Sequence, residues 1–188
     1  MEETKFKVEL IEIAGFVPAL KALRLPFGKE CRSVAGCSVG SVDNVVDICE
    51  RFTIDDNDRK LLSTLVKRGD EHAKVLRGVQ VWLEIDAPRF LWQELDTYRI
   101  GVEKLSSEST MHIQGKGLSE EELVAMKSAL PEGTMQKRIV MFSYQALRRI
   151  WIQRHNHRLP HWRAFCEFIK ELPFAKEFIL AGLNEEEK

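Results

Sequence analysis

The chain has 188 residues, of which 44% are hydrophobic and 30% charged, and its formal net charge is −1. This size and composition predict one soluble domain, and the balanced charge excludes a non-specific nucleic-acid binder while permitting a small anionic ligand. No stretch reaches the ~18 uninterrupted apolar residues of a membrane span and no apolar signal core is present, so a cytoplasmic protein without a membrane partner is expected.

The first part of the chain predicts a strand followed by two helices. Alternating apolar and charged residues favour a strand over residues 6–13, and a short helix follows that ends at Pro26. Residues 28–45 are rich in Gly, Ser and Cys and are predicted to form a loop. Apolar residues at helical spacing predict a second helix over residues 54–69, which begins at an aspartate cap and ends at Gly69.

The middle of the chain predicts a strand with one polar face and then a helix. Apolar and polar residues alternate over residues 79–86, so one face is expected to be buried and the other to be wet or to line a site. Pro88 is expected to open a helix that runs to about Gly101, since proline is favourable in a first helical turn. The hydroxyl-rich segment that follows Gly101 is predicted to be a loop.

The last part of the chain predicts three helices and one strand. Ser119 and Glu122 form a capping box at the start of the first of these helices. A short strand is predicted over residues 137–142, followed by helices over residues 143–156 and 161–172. The mixed order of helices and strands predicts an α+β (mixed α/β) fold.

Cysteine and histidine residues do not predict a metal site. The four cysteines show no CxxC pairing, which is typical of reduced thiols in a cytosolic protein. A zinc site that uses His155, His157 or His161 stays open as an alternative, although the spacing of these residues matches no common closed site.

Arg154 is a candidate for ligand binding because of its place on a helix. It follows Leu147 by seven residues and Trp151 by three, so it projects from the apolar face and needs a partner there. Two structural alternatives are a buried ion pair and a side chain whose stem packs while its charged head reaches water. The functional alternative is a ligand carboxylate, phosphate or imide, which the planar guanidinium binds well.

The segment from Glu94 to His112 is a second candidate site. Arg99 lies near the predicted helix end, where it either pairs with Asp96 or binds a ligand. The hydroxyls of this segment either bind phosphate oxygens or belong to a loop, and they are those of Ser106, Ser107, Ser109 and Thr110. His72, between a helix and a strand, is either structural or part of a site.

Four segments match the motifs of one known family in the right order. ALRLPFGKE is similar to the family's AARVSYGKE-like turn, and the segment from His72 to Pro88 resembles its GHxSPFEH loop and the strand that follows. QELDTYRIGVEKLSSES falls on the motif QxxRHRxxSxNExSxR, and the segment from LPEG to PHW resembles the NARSL, LNLR and AQWE series. The chain thus resembles the flavin-dependent thymidylate synthases of the ThyX family, including ThyX-like proteins carried by bacteriophages and prophages.

The resemblance implies a fold, an assembly and a reaction. The fold is a twisted, mostly antiparallel sheet flanked by helices, which would form a single domain over residues 1–183 with a frayed acidic tail at 184–188. The assembly is a homotetramer with flavin and nucleotide sites between subunits. The family's reaction transfers a one-carbon unit from methylene-tetrahydrofolate to C5 of dUMP with reduced FAD.

The resemblance also implies individual site residues but no catalytic residue. The implied nucleotide-binding residues, with Ser106 and Ser109 allowing for a slip around Ser107, are Glu94, Arg99, Ser106, Ser107, Ser109 and Arg154. The implied cofactor-binding residues are His72, Tyr98, Ser143 and Gln145.

Several of these positions depart from the family's motifs. Glu94 stands in place of a glutamine, and Thr97 and Tyr98 stand in place of the first two residues of RHR. Ser143 and Gln145 replace the asparagine and arginine of NAR. Losing two arginines removes charge-assisted hydrogen bonds worth about 1.5–3 kcal/mol each. The sequence therefore predicts a nucleotide-binding protein with a rewritten site and little bound FAD, the alternative being an active ThyX-type enzyme.

Overall fold

The computed structural model describes residues 6–31, residue 33 and residues 53–183. The strands are β1 (Lys7–Ala14), β2 (Gln80–Pro88), β3 (Val102–Ser107) and β4 (Met135–Ser143). The helices of the described residues are α1 (Phe16–Arg24), α2 (Asp56–Lys67), α3 (Arg89–Leu95), α4 (Thr110–Ile113), α5 (Glu120–Ser128), α6 (Tyr144–Arg154), α7 (Pro160–Glu171) and α8 (Ala175–Phe178). Two 3-10 helices span Leu25–Phe27 and Lys74–Gly78.

The four strands form one antiparallel sheet in the order β1-β2-β4-β3. The expected α+β fold with an antiparallel sheet flanked by helices is therefore confirmed. Most of the predicted loop at 28–45 and the whole predicted tail at 184–188 lie outside the described residues. Where the structure describes the chain, none of its helices combines the length and the apolar character that a membrane crossing requires.

The core lies against one face of the sheet. Along β2, Val81, Leu83 and Ile85 are fully buried, and Val140 and Phe142 of β4 lie opposite two of them. Buried residues of α1, α6 and α7 belong to the same hydrophobic core. The alternate residues of β2 are only half-buried, so the prediction of one buried and one polar face is confirmed.

Side-chain caps begin three helices where the sequence places them. The Asp55 side chain accepts a hydrogen bond from the backbone N–H of Asn57 at 2.9 Å, which starts α2. Ser119 and Glu122 form both hydrogen bonds of a capping box at the start of α5. The Ser143 hydroxyl accepts from the backbone N–H of Ala146 at the start of α6.

Two predictions near the middle of the chain are wrong. The helix that begins after Pro88 ends at Leu95 rather than near Gly101, because the chain turns there and Gly101 adopts a φ of +75°. The segment after Gly101 is the edge strand β3 and not a loop, and it pairs with β4. Apart from Val102 the residues of β3 are exposed, so the strand lacks the apolar alternation that would have revealed it.

Asp58 of α2 forms hydrogen bonds with the end of α1 and with the segment that follows it. Its carboxylate is fully buried and accepts hydrogen bonds from the side chains of Arg24, Cys31 and Ser33. Burial by itself raises the pKa of Asp58, but the hydrogen bonds from Ser33 and Arg24 outweigh burial, so the net pKa is lowered. The ionised form of this carboxylate is therefore part of the folded structure.

Candidate functional site

Arg154 and Glu94 form an ion pair between the C-terminal ends of α6 and α3. Arg154 Nη1 lies 3.0 Å from Glu94 Oε2, and Trp162 Nε1 donates to the same oxygen at 2.8 Å. The two charged side chains are 20% and 33% exposed, so the pair lies at the edge of solvent. Of the structural alternatives for Arg154, the ion pair is confirmed, but it is partly exposed and not buried.

Aromatic rings fix the Arg154 guanidinium in this position. Its Nε donates to the Tyr98 hydroxyl at 2.9 Å, and that hydroxyl donates to Gln153 at 2.8 Å. The guanidinium carbon lies 4.7 Å from the centre of the Trp162 ring and 5.7 Å from that of Tyr98. His157 completes the group, with its Nε2 at 2.8 Å from Arg154 Nη1. We call Glu94, Tyr98, Arg154, His157 and Trp162 the arginine cluster.

Two atoms of the arginine cluster have bonding capacity left for a ligand. Arg154 Nη2 and Glu94 Oε1 form no hydrogen bond with any residue that the structure describes. Guanidinium nitrogens only donate, and an ionised carboxylate only accepts. The cluster can therefore offer one donor and one acceptor to an incoming molecule without breaking its own contacts.

A small cavity of about 240 Å³ adjoins the arginine cluster and shares Tyr98 with it. Its lining residues are Thr97, Tyr98, Arg99, Ile100, Ala146 and Arg149. Arg99 is exposed and forms no hydrogen bond or ion pair within the described ranges of the chain. Arg149 donates through Nε to Asp70 at 2.6 Å, which leaves its two Nη atoms for other partners. We call this space the two-arginine cavity.

The predicted alternative of a local pair between Arg99 and Asp96 is wrong. Asp96 Oδ1 instead lies 2.5 Å from Lys104 Nζ and 3.3 Å from Arg138 Nη1. Both cations belong to the sheet, because β3 carries Lys104 and β4 carries Arg138. Asp96 therefore anchors the turn after α3 to the sheet, and Arg99 has no carboxylate partner among the described residues.

The candidate serines lie apart from the arginine cluster within one chain. Ser106 and Ser107 are exposed on β3, opposite Ile139 and Arg138. The Ser109 hydroxyl accepts from the backbone N–H of His112 and so caps α4. The structure brings Glu94, Tyr98, Arg99 and Arg154 together, whereas ligand binding by the serines stays a prediction.

The four predicted cofactor residues make different contacts within one chain. The Ser143 hydroxyl caps α6, and Gln145 is buried between Arg77, which donates to it at 2.7 Å, and the backbone of Asp70. Tyr98 belongs to the arginine cluster. His72 is exposed and borders an apolar cavity of about 490 Å³ formed mainly by residues of α1 and of the segment 71–78. Flavin binding by these residues stays a prediction, because the resemblance implies flavin sites between subunits.

Sequence reasoning does not single out Arg149, and it considers His157 only as a zinc ligand. Trp162 is fully buried in the core, and its Nε1 also donates to Glu94. Among the residues that the structure describes, no group of three or more His, Cys, Asp or Glu side chains could hold a metal ion. His157 instead contacts Arg154, and its spacing of three residues from that arginine was the available signal.

Comparison with solved structures identifies the fold. Two structures of ThyX, the flavin-dependent thymidylate synthase of Helicobacter pylori with FAD and dUMP, match this chain with a TM-score of 0.64. They are 16% and 15% identical in sequence to it, and the matches cover 93% and 95% of this chain and 99% and 100% of theirs.

A third solved structure shares the same fold. The UMP/dUMP methylase PolB of Streptomyces cacaoi, bound with 5-Br dUMP, has a TM-score of 0.57, 14% identity and coverage of 89% of both chains. No protein-family model matches the chain, and no curated protein matches it by sequence. The chain therefore has the ThyX fold, as its sequence motifs imply.

Proposed function

We propose that this chain is a nucleotide-binding protein of the ThyX fold with a rewritten site, in which the arginine cluster binds a pyrimidine base and the two-arginine cavity binds its phosphate. The observation that carries the proposal is that Tyr98 belongs to both sites. Tyr98 contacts Arg154 on one side and lines the cavity of Arg99 and Arg149 on the other. A nucleotide likewise joins a neutral hydrogen-bonding base to an anionic group.

The division of charge supports this orientation of the ligand. Glu94 already neutralises Arg154, so a phosphate at the arginine cluster would meet a carboxylate as well as a guanidinium. Arg99 has no carboxylate partner among the described residues, and Arg149 retains free Nη donors. Bidentate guanidinium donors suit phosphate oxygens, so the anionic end of the ligand fits the two-arginine cavity better.

The free atoms of the arginine cluster suit a lactam edge, in which a carbonyl is adjacent to an N–H. Arg154 Nη2 can donate to the carbonyl oxygen while Glu94 Oε1 accepts from the N–H. Uracil and thymine carry this edge. The dUMP and 5-Br dUMP in the similar structures support a pyrimidine over a purine with the same edge.

We also propose that the protein forms a homo-oligomer, for which the ThyX resemblance implies a tetramer. The open side of the two-arginine cavity would then face a neighbouring subunit. A role in bacteriophage or host nucleotide biology, by sequestering or modifying a nucleotide, rests on the resemblance to phage proteins.

Paired titrations with dUMP and deoxyuridine test the proposal, because deoxyuridine lacks the phosphate. Arg99→Ala is expected to weaken dUMP binding at least tenfold, about 1.4 kcal/mol, and to leave deoxyuridine binding unchanged. Arg154→Ala is expected to weaken binding of both ligands at least tenfold. Lys21→Ala removes a charge from the exposed side of α1 and serves as the control. No binding of dUMP to the wild-type protein, or unchanged dUMP binding by Arg99→Ala, would contradict the proposal.

The second candidate is a flavin-dependent enzyme that transfers a one-carbon unit to C5 of dUMP. The fold likeness to structures that contain FAD and dUMP favours it. Against it stand the departures from the family's motifs, in which Thr97 and Gln145 replace two arginines. The absorption spectrum of the purified protein separates the two candidates. We expect little flavin, and near-stoichiometric FAD together with complementation of a thymidine auxotroph would favour the enzyme.

A further inference from the structure

A further cavity, which shares no residue with the arginine cluster or the two-arginine cavity, lies between α2 and the segment 176–183. Its volume is about 730 Å³, and its charged and hydroxyl-bearing lining residues are Arg59, Ser63, Lys67, Lys176 and Glu177. Three cations and one carboxylate leave this lining with two net positive charges. We call this space the lysine cavity.

One face of α2 presents three of these side chains. Arg59, Ser63 and Lys67 follow one another at intervals of four residues, so they lie along the same side of the helix. Arg59 Nη1 pairs with Glu177, which fixes the guanidinium at the cavity wall. Within the part of the chain that the structure describes, Lys67 and Lys176 form no ion pair and the Ser63 hydroxyl forms no hydrogen bond. These three groups therefore have donors left for a ligand.

The backbone of the same cavity adds an N–H donor that points out of the protein. The buried Arg148 donates through Nη1 to the carbonyl of Ala181 at 3.0 Å and also to that of Ile179. The peptide bond between Ala181 and Gly182 is trans, so the Gly182 N–H points away from that carbonyl and from Arg148. Gly182 itself is exposed, and its N–H is consequently directed to the surface at the cavity.

The N–H groups of Ala181 and Gly182 form a pair. Neither donates to an acceptor among the residues described. Gly182 adopts the left-handed conformation with a φ of +78°. Successive backbone N–H groups in such a turn form a concave site that binds anions.

Gly182 also brings Lys67 next to these donors. A Cβ at residue 182 would lie 2.3 Å from Lys67 Cγ, so only a glycine lets the lysine stem lie against the backbone here. The side chain of Lys67 therefore contacts the residue whose N–H is free. Lysine and backbone N–H groups together are a common means of holding phosphate oxygens in proteins.

We propose that the lysine cavity binds the phosphate group of a phosphorylated small molecule. This site is separate from the proposed nucleotide site and does not depend on it. A phosphate monoester carries a charge of about −1.5 to −2 at pH 7, which matches the two net positive charges of the lining, whereas a carboxylate would balance only one. Its three free oxygens can accept from Lys67, Ser63 and the Gly182 N–H together. The cavity is larger than a phosphate group, so it has room for the organic part of the ligand.

Amide signals in ¹H–¹⁵N spectra of the full chain locate the binding, because Ala181 and Gly182 belong to the site itself. Titration with glycerol 3-phosphate at constant ionic strength is expected to shift both signals to saturation, with a dissociation constant of about 1 mM or lower. Glycerol, which lacks the phosphate, should not shift them. Arg99→Ala should leave this titration unchanged, which separates it from phosphate binding in the two-arginine cavity.

A pair of lysine variants tests the role of Lys67. Lys67→Gln is expected to weaken binding of glycerol 3-phosphate about fivefold, because it removes one partly solvated charged contact. Lys21→Gln makes the same change on the exposed side of α1 and should have no effect. If the Gly182 signal does not move in the wild-type protein, or if folded Lys67→Gln keeps wild-type affinity, the inference is wrong and the nucleotide site still stands.

The last residues of the sequence provide a second control. Three glutamates follow Leu183, and their carboxylates are the chain's own competitors for a cationic cavity. A full-length variant with glutamine at all three positions should bind glycerol 3-phosphate within threefold of the wild-type protein. These substitutions are Glu185→Gln, Glu186→Gln and Glu187→Gln. If only this variant binds the ligand, the cavity serves the chain's own carboxylates and the inference is overturned.

Discussion

Replacement of Glu94 by glutamine changes the free atom that the arginine cluster offers to a base. Glu94 Oε2 accepts from both Arg154 and Trp162, so the amide oxygen of the variant must occupy that place. The amide nitrogen then stands where Oε1 stood. An acceptor becomes a donor, while the shape of the side chain and its two internal hydrogen bonds are kept.

The variant is expected to bind uracil much more weakly than the wild-type protein does and to bind cytosine more tightly. The N–H of uracil would face an amide N–H, and leaving such a group unpaired costs about 2 kcal/mol, which corresponds to about a thirtyfold loss of affinity. Cytosine held by Arg154 through its keto oxygen presents the N3 lone pair at the same place and gains a hydrogen bond. Because Glu94 is a third exposed, loss of its charge should lower the free energy of unfolding by less than about 1 kcal/mol.

Calorimetric titration of the Glu94→Gln variant with dUMP and dCMP measures both effects. The ratio of the two dissociation constants is the informative quantity, because it cancels any general loosening of the site. Glu171→Gln, an equal charge change at an exposed position at the end of α7, is the matched control. If the variant keeps the wild-type preference for dUMP, Glu94 does not contact the base and the orientation proposed for the ligand is wrong.

Two further predictions concern the framework that carries the site. Asp58→Asn should lower the free energy of unfolding by about 3 kcal/mol near pH 7, against about 0.5 kcal/mol for the exposed Asp56→Asn. Because the folded-state pKa of Asp58 is lowered, its stabilisation is present above about pH 4 and is lost as the pH falls through that pKa. The free energy of unfolding of the variant should therefore fall less steeply at acid pH than that of the wild-type protein. Equally steep falls would contradict this. In urea unfolding, Gly101→Ala should lower the free energy of unfolding by about 2 kcal/mol more than Gly117→Ala. Both residues have a positive φ, but only at Gly101 would a new Cβ lie 2.3 Å from the hydroxyl of Ser143 that caps α6. Equal losses would refute the steric argument.

Local signals in the sequence predicted most of the fold. The β2 alternation and the caps at Asp55, Ser119 and Ser143 depend only on neighbouring residues, so they could be recognised without knowing the tertiary structure. The edge strand β3 depends on pairing with β4, and its exposed residues carry no buried pattern. Because β3 was not predicted, the helix of Arg89–Leu95 was also predicted to run too far, to about Gly101.

The candidate site could be predicted only in part for the same reason. Helical spacing showed that Arg154 needed a partner, but the partner, Glu94, lies 60 residues away in the chain. The separation of Arg99 from Asp96 was equally hidden, because Asp96 pairs with two cations of the sheet, Lys104 on β3 and Arg138 on β4.

The Glu94–Arg154 pair determines what kind of molecule the site can recognise. An unpaired arginine at this position would attract any anion, including phosphate, without regard to the base attached to it. In the proposed site, the arginine with Glu94 beside it recognises a pattern of donors and acceptors, and Arg99 and Arg149 on the other side of Tyr98 recognise charge. A chain with a net charge of −1 can thus bind a nucleotide through two local features rather than through an overall positive field.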